Sequence, residues 1–374
     1  MSWIETTLGD SCEMYQPQTI TTKELKHDGK YLVYGANGVI GRYDKYNHEE
    51  PQLLVTCRGA TCGSVNISSP FSWINGNAMV VKPKRKDINI KFLEYFFRGA
   101  VDLTKAITGA AQPQITRQSL SPVRFGYPTL DIQNEIVLKL DNIFAEIDKA
   151  IAASKANIKN AESFFQSYLN DIFENAGESW NSIQISKLGR VQSGGTPSIS
   201  KKEYWGGDIE WYSSGELNDL YTLPALRMVT TEGIKNSNAK VFPRNSLLVG
   251  MYDTAAMKMS LLSEPAAFNQ AIVGIEPNEN VNMTYLYYAL SYIKPYVLSL
   301  RRGVRQKNLS LAKIKELDIK FPSLEIQNTY AKKLNYINET ATSLKTCYIN
   351  KVNEYELLRK SILQKSFNNE LIKE

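Results

Sequence analysis

A long internal repeat constrains this chain more than any other feature of its 374-residue sequence. At one offset of 194 residues, the stretch from Leu53 to Phe173 aligns with the second half without a gap. Identical residues fall mainly on apolar, Pro, Gly, Gln and Asn positions: Leu53, Leu54, Val55, Asn75, Pro83, Gly109, Gln112, Pro128, Leu130, Ile132, Gln133, Asn134, Leu140, Ile143, Ser167, Leu169 and Phe173. Chance does not hold one register over such a length, so the sequence predicts a duplicated structural unit.

The start of each unit repeats as well. Leu8-Gly9 matches Leu188-Gly189 at an offset of 180, so the second unit carries 14 extra residues before Leu247. Short β-branched runs bounded by turn residues predict strands at Tyr31–Tyr34, Gln52–Thr56, Ala78–Val81, Ser246–Val249 and Ala271–Ile275. One helix per unit is predicted among them, at Ile90–Gly99 and Met283–Leu300. The first part of each unit is therefore a mixed α/β globule.

The second part of each unit has a helical period. Its apolar positions recur mostly at steps of three and four: Ile136, Leu140, Ile143, Ile147, Ile151, Ile158, Phe165 and Leu169, then Leu334, Ile337, Ala341, Leu344, Tyr348, Val352, Tyr355 and Ile362. Each pattern predicts an amphipathic helix of about 42 residues, roughly 60 Å long. A helix of that length needs a partner for its apolar stripe, and the equivalent helix is the obvious one.

The predicted fold class is α+β, with two tandem mixed α/β globular domains, each followed by a long helix. The predicted domains are residues 1–130, the helix 131–175, residues 180–324 and the helix 325–374. A pseudo-two-fold relation would make the helices an antiparallel coiled coil, a rod with one globular head at each end.

Composition limits the class of protein. The net charge of +6 permits a polyanionic partner without proving one. The four cysteines Cys12, Cys57, Cys62 and Cys347 lack the spacing of a zinc site and are expected to be buried or idle thiols. No secretion signal or long apolar run is visible, so we expect a cytoplasmic protein.

Motifs of catalysis are missing from the sequence. There is no Pro-Pro dipeptide for a methyltransferase loop, no Pro-Asp pair of a nuclease core and no phosphate-binding loop. His27 and His48 have no metal-ligand spacing and are expected to be surface side chains. The segment Gly35–Gly41 approaches a dinucleotide-binding motif, but its spacing is wrong and we expect a glycine-rich turn.

Polar loops at matching places in both units are the candidate functional residues. Gln, Asn and Arg can read base edges of DNA, while Ser, Thr and Lys suit phosphates. The candidate DNA-binding residues are Arg58, Gly59, Gln112, Gln114, Thr116, Arg117, Thr196, Ser213, Ser214, Tyr252, Asp253, Lys258, Arg301, Arg302, Arg305, Gln306, Lys307 and Asn308. A plainer interpretation is that Gly and Gln only shape the loops and the cations are solvated. We favour DNA binding because the Gly-x-x-Gln pattern occurs in both units.

Positions that differ between the two units carry the information on specificity. Gln112 and Gln306 are common to both, so they fit a structural role equally well. Four aligned pairs differ and could specify different half-sites: Arg58 and Tyr252, Gly59 and Asp253, Gln114 and Asn308, and Arg117 and Leu311.

Several motifs resemble a known family. Ser193–Ser198 (Ser-Gly-Gly-Thr-Pro-Ser), Glu203–Trp211 and Ser214–Leu217 resemble the opening of target-recognition domains in type I restriction–modification specificity subunits. A strand followed by Arg-Gly at Leu53–Gly59 is similar to the same family. So are the Pro-x-Leu-x-x-Gln starts of both long helices and the closing segment Leu357–Phe367. The first unit departs from the pattern because it lacks Gly-Gly-Thr-Pro, so Thr7–Ile20 is expected to contact DNA differently.

The resemblance implies a non-catalytic subunit that recognises a bipartite, asymmetric site in double-stranded DNA. It implies two modification subunits as partners, and often two motor–nuclease subunits. No cofactor is expected in this chain; S-adenosylmethionine, ATP and Mg are expected in the partner subunits. The alternative function is a structural coiled-coil scaffold that does not read DNA, which explains the helices but not the duplicated loops. A stand-alone enzyme is disfavoured by the missing motifs.

Overall fold

The computed structural model describes residues 3–109, 112–175, 180–277, 279–299 and 309–367. The chain divides into two compact units, the first built from two segments and the second from one. Unit 1 comprises residues 1–156 and 348–374, and unit 2 comprises residues 157–347. Each unit therefore combines one globular part with segments of both long helices.

Unit 1 is built from short strands and helices that precede the first long helix. Its strands are β1 (Ile4–Thr7), β2 (Cys12–Tyr15), β3 (Tyr31–Gly35), β4 (Gly38–Tyr43), β5 (Leu53–Thr56), β6 (Val65–Ile67), β7 (Trp73–Ile74), β8 (Ala78–Pro83), β9 (Ile107–Thr108), β10 (Gln114–Ile115) and β11 (Arg124–Tyr127). Its helices are α1 (Leu8–Ser11), α2 (Ile90–Gly99), α3 (Arg117–Leu120) and the start of α4 (Leu130–Glu174).

Unit 2 has a matching series of elements. Its strands are β12 (Asn181–Gln184), β13 (Gly189–Ser193), β14 (Trp205–Tyr212), β15 (Arg227–Val229), β16 (Leu247–Gly250), β17 (Met259–Leu261), β18 (Ala266–Phe268), β19 (Ile272–Pro277) and β20 (Asp318–Phe321). Its helices are α5 (Thr231–Lys235), α6 (Met283–Ser299), α7 (Leu311–Lys315) and the start of α8 (Leu324–Phe367). Short 3-10 turns lie at Thr22–Glu24, Leu103–Ala106, Ile185–Lys187, Lys202–Tyr204, Ser214–Glu216 and Asp253–Ala255.

Three sheets of unit 1 have counterparts of the same topology among the described residues of unit 2. Unit 1 has an antiparallel sheet of order β2-β8-β5-β6, and unit 2 has β13-β19-β16-β17. A three-stranded sheet of order β4-β3-β7 corresponds to β15-β14-β18, and both contain one parallel pair. The pairs β1-β11 and β12-β20 also correspond. The structure thus confirms the predicted tandem mixed α/β units.

Each core forms where a fully buried strand meets an aromatic-rich helix. All residues of β5 and of β16 are buried, which explains their continuous apolar runs. Phe92 on α2 and Tyr285 on α6 have no exposed surface and lie in the cores of unit 1 and unit 2. The predicted helix Ile90–Gly99 has the bounds of α2, and β5 lies within the predicted strand Gln52–Thr56.

The predicted glycine-rich turn is confirmed. Residues 36 and 37 form the turn between β3 and β4, and Gly38 has a φ of 98°, a conformation that favours glycine. No dinucleotide-binding helix follows, because the chain continues as β4. Of the two histidines predicted to be surface side chains, His27 is exposed and His48 is half-buried. Its Nε2 lies 2.9 Å from the hydroxyl oxygen of Tyr15.

The glutamine of the Pro-x-Leu-x-x-Gln motif forms a structural joint, by which we mean that it bonds the start of each long helix to the globular part. Gln133 is fully buried in the first turns of α4, where its Oε1 accepts a hydrogen bond from the backbone N–H of Asn89 at 2.8 Å. Its amide nitrogen donates to the carbonyls of Asp87 and Pro128. In unit 2, Gln327 makes the same bonds to the N–H of Asn282 and the carbonyls of Asn280 and Pro322. The glutamine therefore fixes the long helix to the loop that starts α2 or α6.

The two long helices run antiparallel. In unit 1 Arg359 of α8 forms an ion pair with Asp148 of α4, and in unit 2 Lys345 pairs with Glu162 at 2.6 Å. Arg359 follows Lys345 along α8, whereas its partner Asp148 precedes Glu162 along α4. The predicted antiparallel packing of the helices is therefore confirmed.

Two positions of the predicted stripes were wrong. Ile143 is 36% exposed, and the neighbouring Phe144 occupies the buried position. Leu344 is 45% exposed, and the half-buried Lys345 replaces it in the interface. A lysine can occupy such a position because its aliphatic stem packs while its ammonium group reaches a carboxylate, here that of Glu162.

Candidate nucleic-acid interface

Each unit has an open, concave polar site at an equivalent place. The site of unit 1 has a volume of about 400 Å³ and lies at the end of β2, beside the loop that follows β5. The site of unit 2 has a volume of about 910 Å³ and lies at the end of β13. Arg117 lines the first site, and Leu311, its aligned residue, lines the second.

An equivalent backbone hydrogen bond precedes the aligned residues Arg117 and Leu311 in the two units. In unit 1 the N–H of Ile115 donates to the carbonyl of Cys57 at 2.9 Å. In unit 2 the N–H of Leu309 donates to the carbonyl of Met251 at 3.0 Å. Two segments that are far apart in the sequence are thus joined by the same hydrogen bond in the two units.

Four predicted residues come together around the site of unit 1: Arg58, Gln114, Thr116 and Arg117. The backbones of Arg58 and Gln114 pair directly. Thr116 accepts a hydrogen bond from the N–H of Ser119 and so caps α3, which begins with Arg117. Local chain geometry therefore brings two guanidinium groups to one concave surface.

Both arginines of this site are available to a ligand. Arg58 and Arg117 are exposed, and within the described ranges neither guanidinium forms an ion pair with a carboxylate. A guanidinium presents a rigid fork of donors that suits guanine edges and phosphates. Gly59 follows with a φ of 87° and donates its N–H to the carbonyl of Pro113 at 3.2 Å, while Gln112 is exposed nearby.

Sequence reasoning missed Tyr15, Gln16 and Gln118, which also line the site of unit 1. Tyr15 and Gln16 come from the end of β2, outside the ungapped alignment of the repeat, so no pattern singled them out.

Burial lowers the pKa of His48 beside Tyr15, and the positive charge of Lys82 lowers it further. The imidazole is therefore neutral at neutral pH.

In unit 2 the Gly-Gly-Thr-Pro segment forms the floor of the site. Thr196 donates its hydroxyl to Oε1 of Gln270 at 2.6 Å. A Cβ on Gly194 would lie 2.0 Å from the carbonyl oxygen of Phe268, and one on Gly195 would lie 2.4 Å from the carbonyl carbon of Asn238. The two glycines are thus required because backbone from two other segments passes directly over them.

Substitution of Gly195 by alanine is expected to destabilise unit 2 by about 1–3 kcal/mol, because the backbone at Asn238 must move. Gly215→Ala is the matched control, since its Cβ would meet only the Ser213 hydroxyl, at 4.0 Å. Urea unfolding followed by hydrogen exchange of unit 2 peptides measures the difference. Equal stability of the two variants would contradict this account of the Gly-Gly pair.

The other predicted residues of unit 2 lie outside this cavity. Ser213 is engaged with Glu216 in a capping box at the start of the turn Ser214–Glu216. Lys258 donates to Oδ1 of Asn218 at 2.8 Å, and Tyr252 packs partly buried against the hydrophobic core. Burial lowers the pKa of Lys294 on α6, as does the charge of Lys258. The side chain of Asp253 lies outside what the structure describes.

The predicted basic segment cannot be placed. Arg301, Arg302, Arg305, Gln306, Lys307 and Asn308 lie outside the described residues. Within the described part of the chain, no group of three or more His, Cys, Asp or Glu side chains could hold a metal ion. The described helices include none that is both long and apolar enough to cross a membrane.

Relatives of this chain are subunits of one kind of enzyme. It is 28% identical over 190 residues to a type I restriction enzyme specificity subunit from Methanocaldococcus jannaschii, covering 50% of this chain and 42% of that subunit. It is 28% identical over 166 residues to the EcoR124I/EcoR124II specificity subunit from Escherichia coli, covering 43% and 40%. The matches thus span less than half the length of these two relatives. A putative type I specificity subunit from Mycoplasma pneumoniae is 23% identical over 335 residues, covering 87% and 86%.

Solved structures share the fold. A chain from a structure concerning complex assembly and conformational transition of the type I R-M system has a TM-score of 0.80 at 15% identity and covers 98% of both chains. The HsdS subunit from Thermoanaerobacter tengcongensis has a TM-score of 0.60 at 15% identity, covering 98% of this chain and 97% of that one.

The profile of the family described as "Type I restriction modification DNA specificity domain" matches residues 2–160 and 177–354. Each match falls on one copy of the duplicated arrangement of globule and long helix. The chain belongs to the family of type I restriction modification DNA specificity domains.

Proposed function

We propose that this chain is the DNA-specificity subunit of a type I restriction–modification enzyme and has no catalytic centre of its own. Each globular part reads one half of a bipartite, asymmetric site in double-stranded DNA. The recognition domains are residues 1–130 and 180–324, and the helices of 131–175 and 325–374 connect them. Two modification subunits are its partners, together with two restriction subunits where the system has them.

One observation carries this proposal: equivalent concave sites with different linings. Arg117 in the site of unit 1 is replaced by Leu311 in the site of unit 2, although an equivalent backbone hydrogen bond lies next to both positions. Arg58 is replaced by Tyr252, which packs against the core and does not line the cavity of unit 2. A shared scaffold with different polar groups is what a protein needs to read two different short sequences. Arg58 and Arg117 suit a guanine in the half-site of unit 1.

Exposed leucines on the long helices are compatible with protein partners. Leu138 on α4 is 62% exposed and Leu357 on α8 is 67% exposed. Such side chains leave apolar surface available to a protein partner, although single exposed leucines are common on proteins. A scaffold that does not read DNA would use the same leucines, but it gives no reason for the paired polar sites.

Exchange of one recognition domain tests the proposal. Replacing residues 1–130 by the same region of another family member should change one half of the methylated site and leave the other half unchanged. Methylome sequencing of cells that express the complex measures both halves, and replacement of 180–324 is the reciprocal control. Joint change of both halves, or methylation that is independent of either domain, would contradict the proposal.

A further inference from the structure

A segment present only in unit 2 forms one wall of its concave site. Helix α5 (Thr231–Lys235) follows β15, whereas β4, the equivalent strand of unit 1, is followed by irregular chain. The segment falls within the stretch where unit 2 is 14 residues longer, as the offsets of 180 and 194 show. Residues 236, 237, 238 and 240 line the site. We refer to Thr231–Lys240 as the inserted wall.

The inserted wall is held firmly in place. The amide nitrogen of Asn236 donates to the carbonyl of Glu232 at 3.0 Å and caps the end of α5. Ala239 is 1% exposed, and its N–H donates to the hydroxyl of Ser237 at 3.2 Å. Asn238 lies with its backbone directly against Gly195. The backbone from which the Asn238 side chain extends is thereby held in place before any ligand binds.

Asn238 has a fully available amide in this site, as does Gln192 at the end of β13. Its side chain is exposed, and within the described ranges it makes no hydrogen bond. The amide nitrogen of Asn236 is engaged within α5, and Oε1 of Gln270 already accepts the hydroxyl of Thr196. Asn238 can therefore donate and accept at the same time, which the amides of Asn236 and Gln270 cannot do freely, and it is the amide of the inserted wall that can do so.

We propose that the inserted wall is a base-reading element and that Asn238 recognises an adenine in the half-site of unit 2. This inference rests on the proposed function. Adenine presents the N7 acceptor and the N6 donor side by side in the major groove, and an asparagine amide matches that pair. Lys240, exposed at the end of the inserted wall, supplies charge for the adjacent phosphates.

The test uses the full chain with its modification subunits and a random-sequence duplex library. After selection, the wild type should enrich a bipartite site with an adenine in the half assigned to unit 2 by domain exchange. Asn238→Ala should reduce the preference for one A·T pair roughly 5- to 150-fold and leave the other half unchanged. Asn238→Asp, which is isosteric but only accepts, should shift that position toward cytosine.

Lys240→Ala is the matched control in the same segment. It should weaken binding to all sequences and reduce the salt dependence without changing the selected motif. If the wild type selects a bipartite motif and both Asn238 variants select the same one, the inference is overturned and the proposed function stands. A wild-type complex that enriches no sequence would overturn the proposed function, and the inference with it.

Discussion

Replacement of Gln133 by leucine is expected to lower the free energy of unfolding of unit 1 by about 2–4 kcal/mol. Leucine fits the space of the buried glutamine but offers no polar atom. The substitution leaves the N–H of Asn89 and the carbonyls of Asp87 and Pro128 without their present partner. An unsatisfied buried group costs about 1–3 kcal/mol, and three such groups outweigh the apolar surface that leucine adds.

Unit 2 offers an internal repetition of this experiment. Gln327 is equally buried and makes corresponding bonds, so Gln327→Leu should destabilise unit 2 to a similar degree. Gln166→Leu is the matched control, since this glutamine lies exposed on α4 and donates only to Asn170 within the described residues. Its effect should stay within about 0.5 kcal/mol.

Hydrogen exchange in urea, resolved by peptide, separates the two units. Gln133→Leu should lower the protection of peptides from α2 and β8 first. An effect no larger than that of Gln166→Leu would mean that water replaces the glutamine at this joint, and the structural explanation of the motif would then be wrong.

The periodic elements were predictable from sequence because their signal is local. The apolar run of β5 and the four-residue spacing of Phe92 and Phe96 on α2 are each visible within a few consecutive residues. The prediction of two tandem units with paired long helices came from the duplication, since a pattern that occurs in both copies is supported twice. Local patterns did not predict that Lys345 rather than Leu344 lies in the helix interface, because that position depends on Glu162 of the opposite helix.

The candidate site was predictable only in part, for a related reason. Comparison of the two copies identifies positions that both units possess, such as Arg58 and its counterpart Tyr252. It cannot detect an element that one unit lacks, and Asn238 belongs to such an element. Asn238 lies at the site because its backbone packs directly on Gly195, and these two residues are far apart in the sequence.

Substitution of Leu363 by aspartate is expected to unfold unit 1 while unit 2 remains folded. Leu363 lies near the end of α8, far along the chain from the globular part that it completes, and it is 5% exposed in the core of unit 1. A Cβ on Gly99 would lie 2.4 Å from the Cβ of Leu363, so α2 and α8 are in direct contact there. Phe367 adds ring contacts to Phe92 and Phe96 at 5.2 and 5.8 Å.

The expected cost is at least about 4 kcal/mol. Removal of a buried leucine costs about 2–5 kcal/mol, and an unpaired carboxylate in an apolar core adds to that loss. Leu357→Asp is the matched control, because Leu357 lies on the same helix and is 67% exposed. Its effect on stability should be within about 0.5 kcal/mol.

The reciprocal substitution completes the argument. Leu169, near the end of α4, is 1% exposed in the core of unit 2, where the ring of Phe173 stacks on Tyr292 at 5.1 Å. Leu169→Asp should therefore unfold unit 2 and spare unit 1, the opposite of Leu363→Asp. Peptide-resolved hydrogen exchange reports both units in one sample. Equal loss of protection in the two units from either variant would show that they unfold together, and the assignment of each helix end to one core would be wrong.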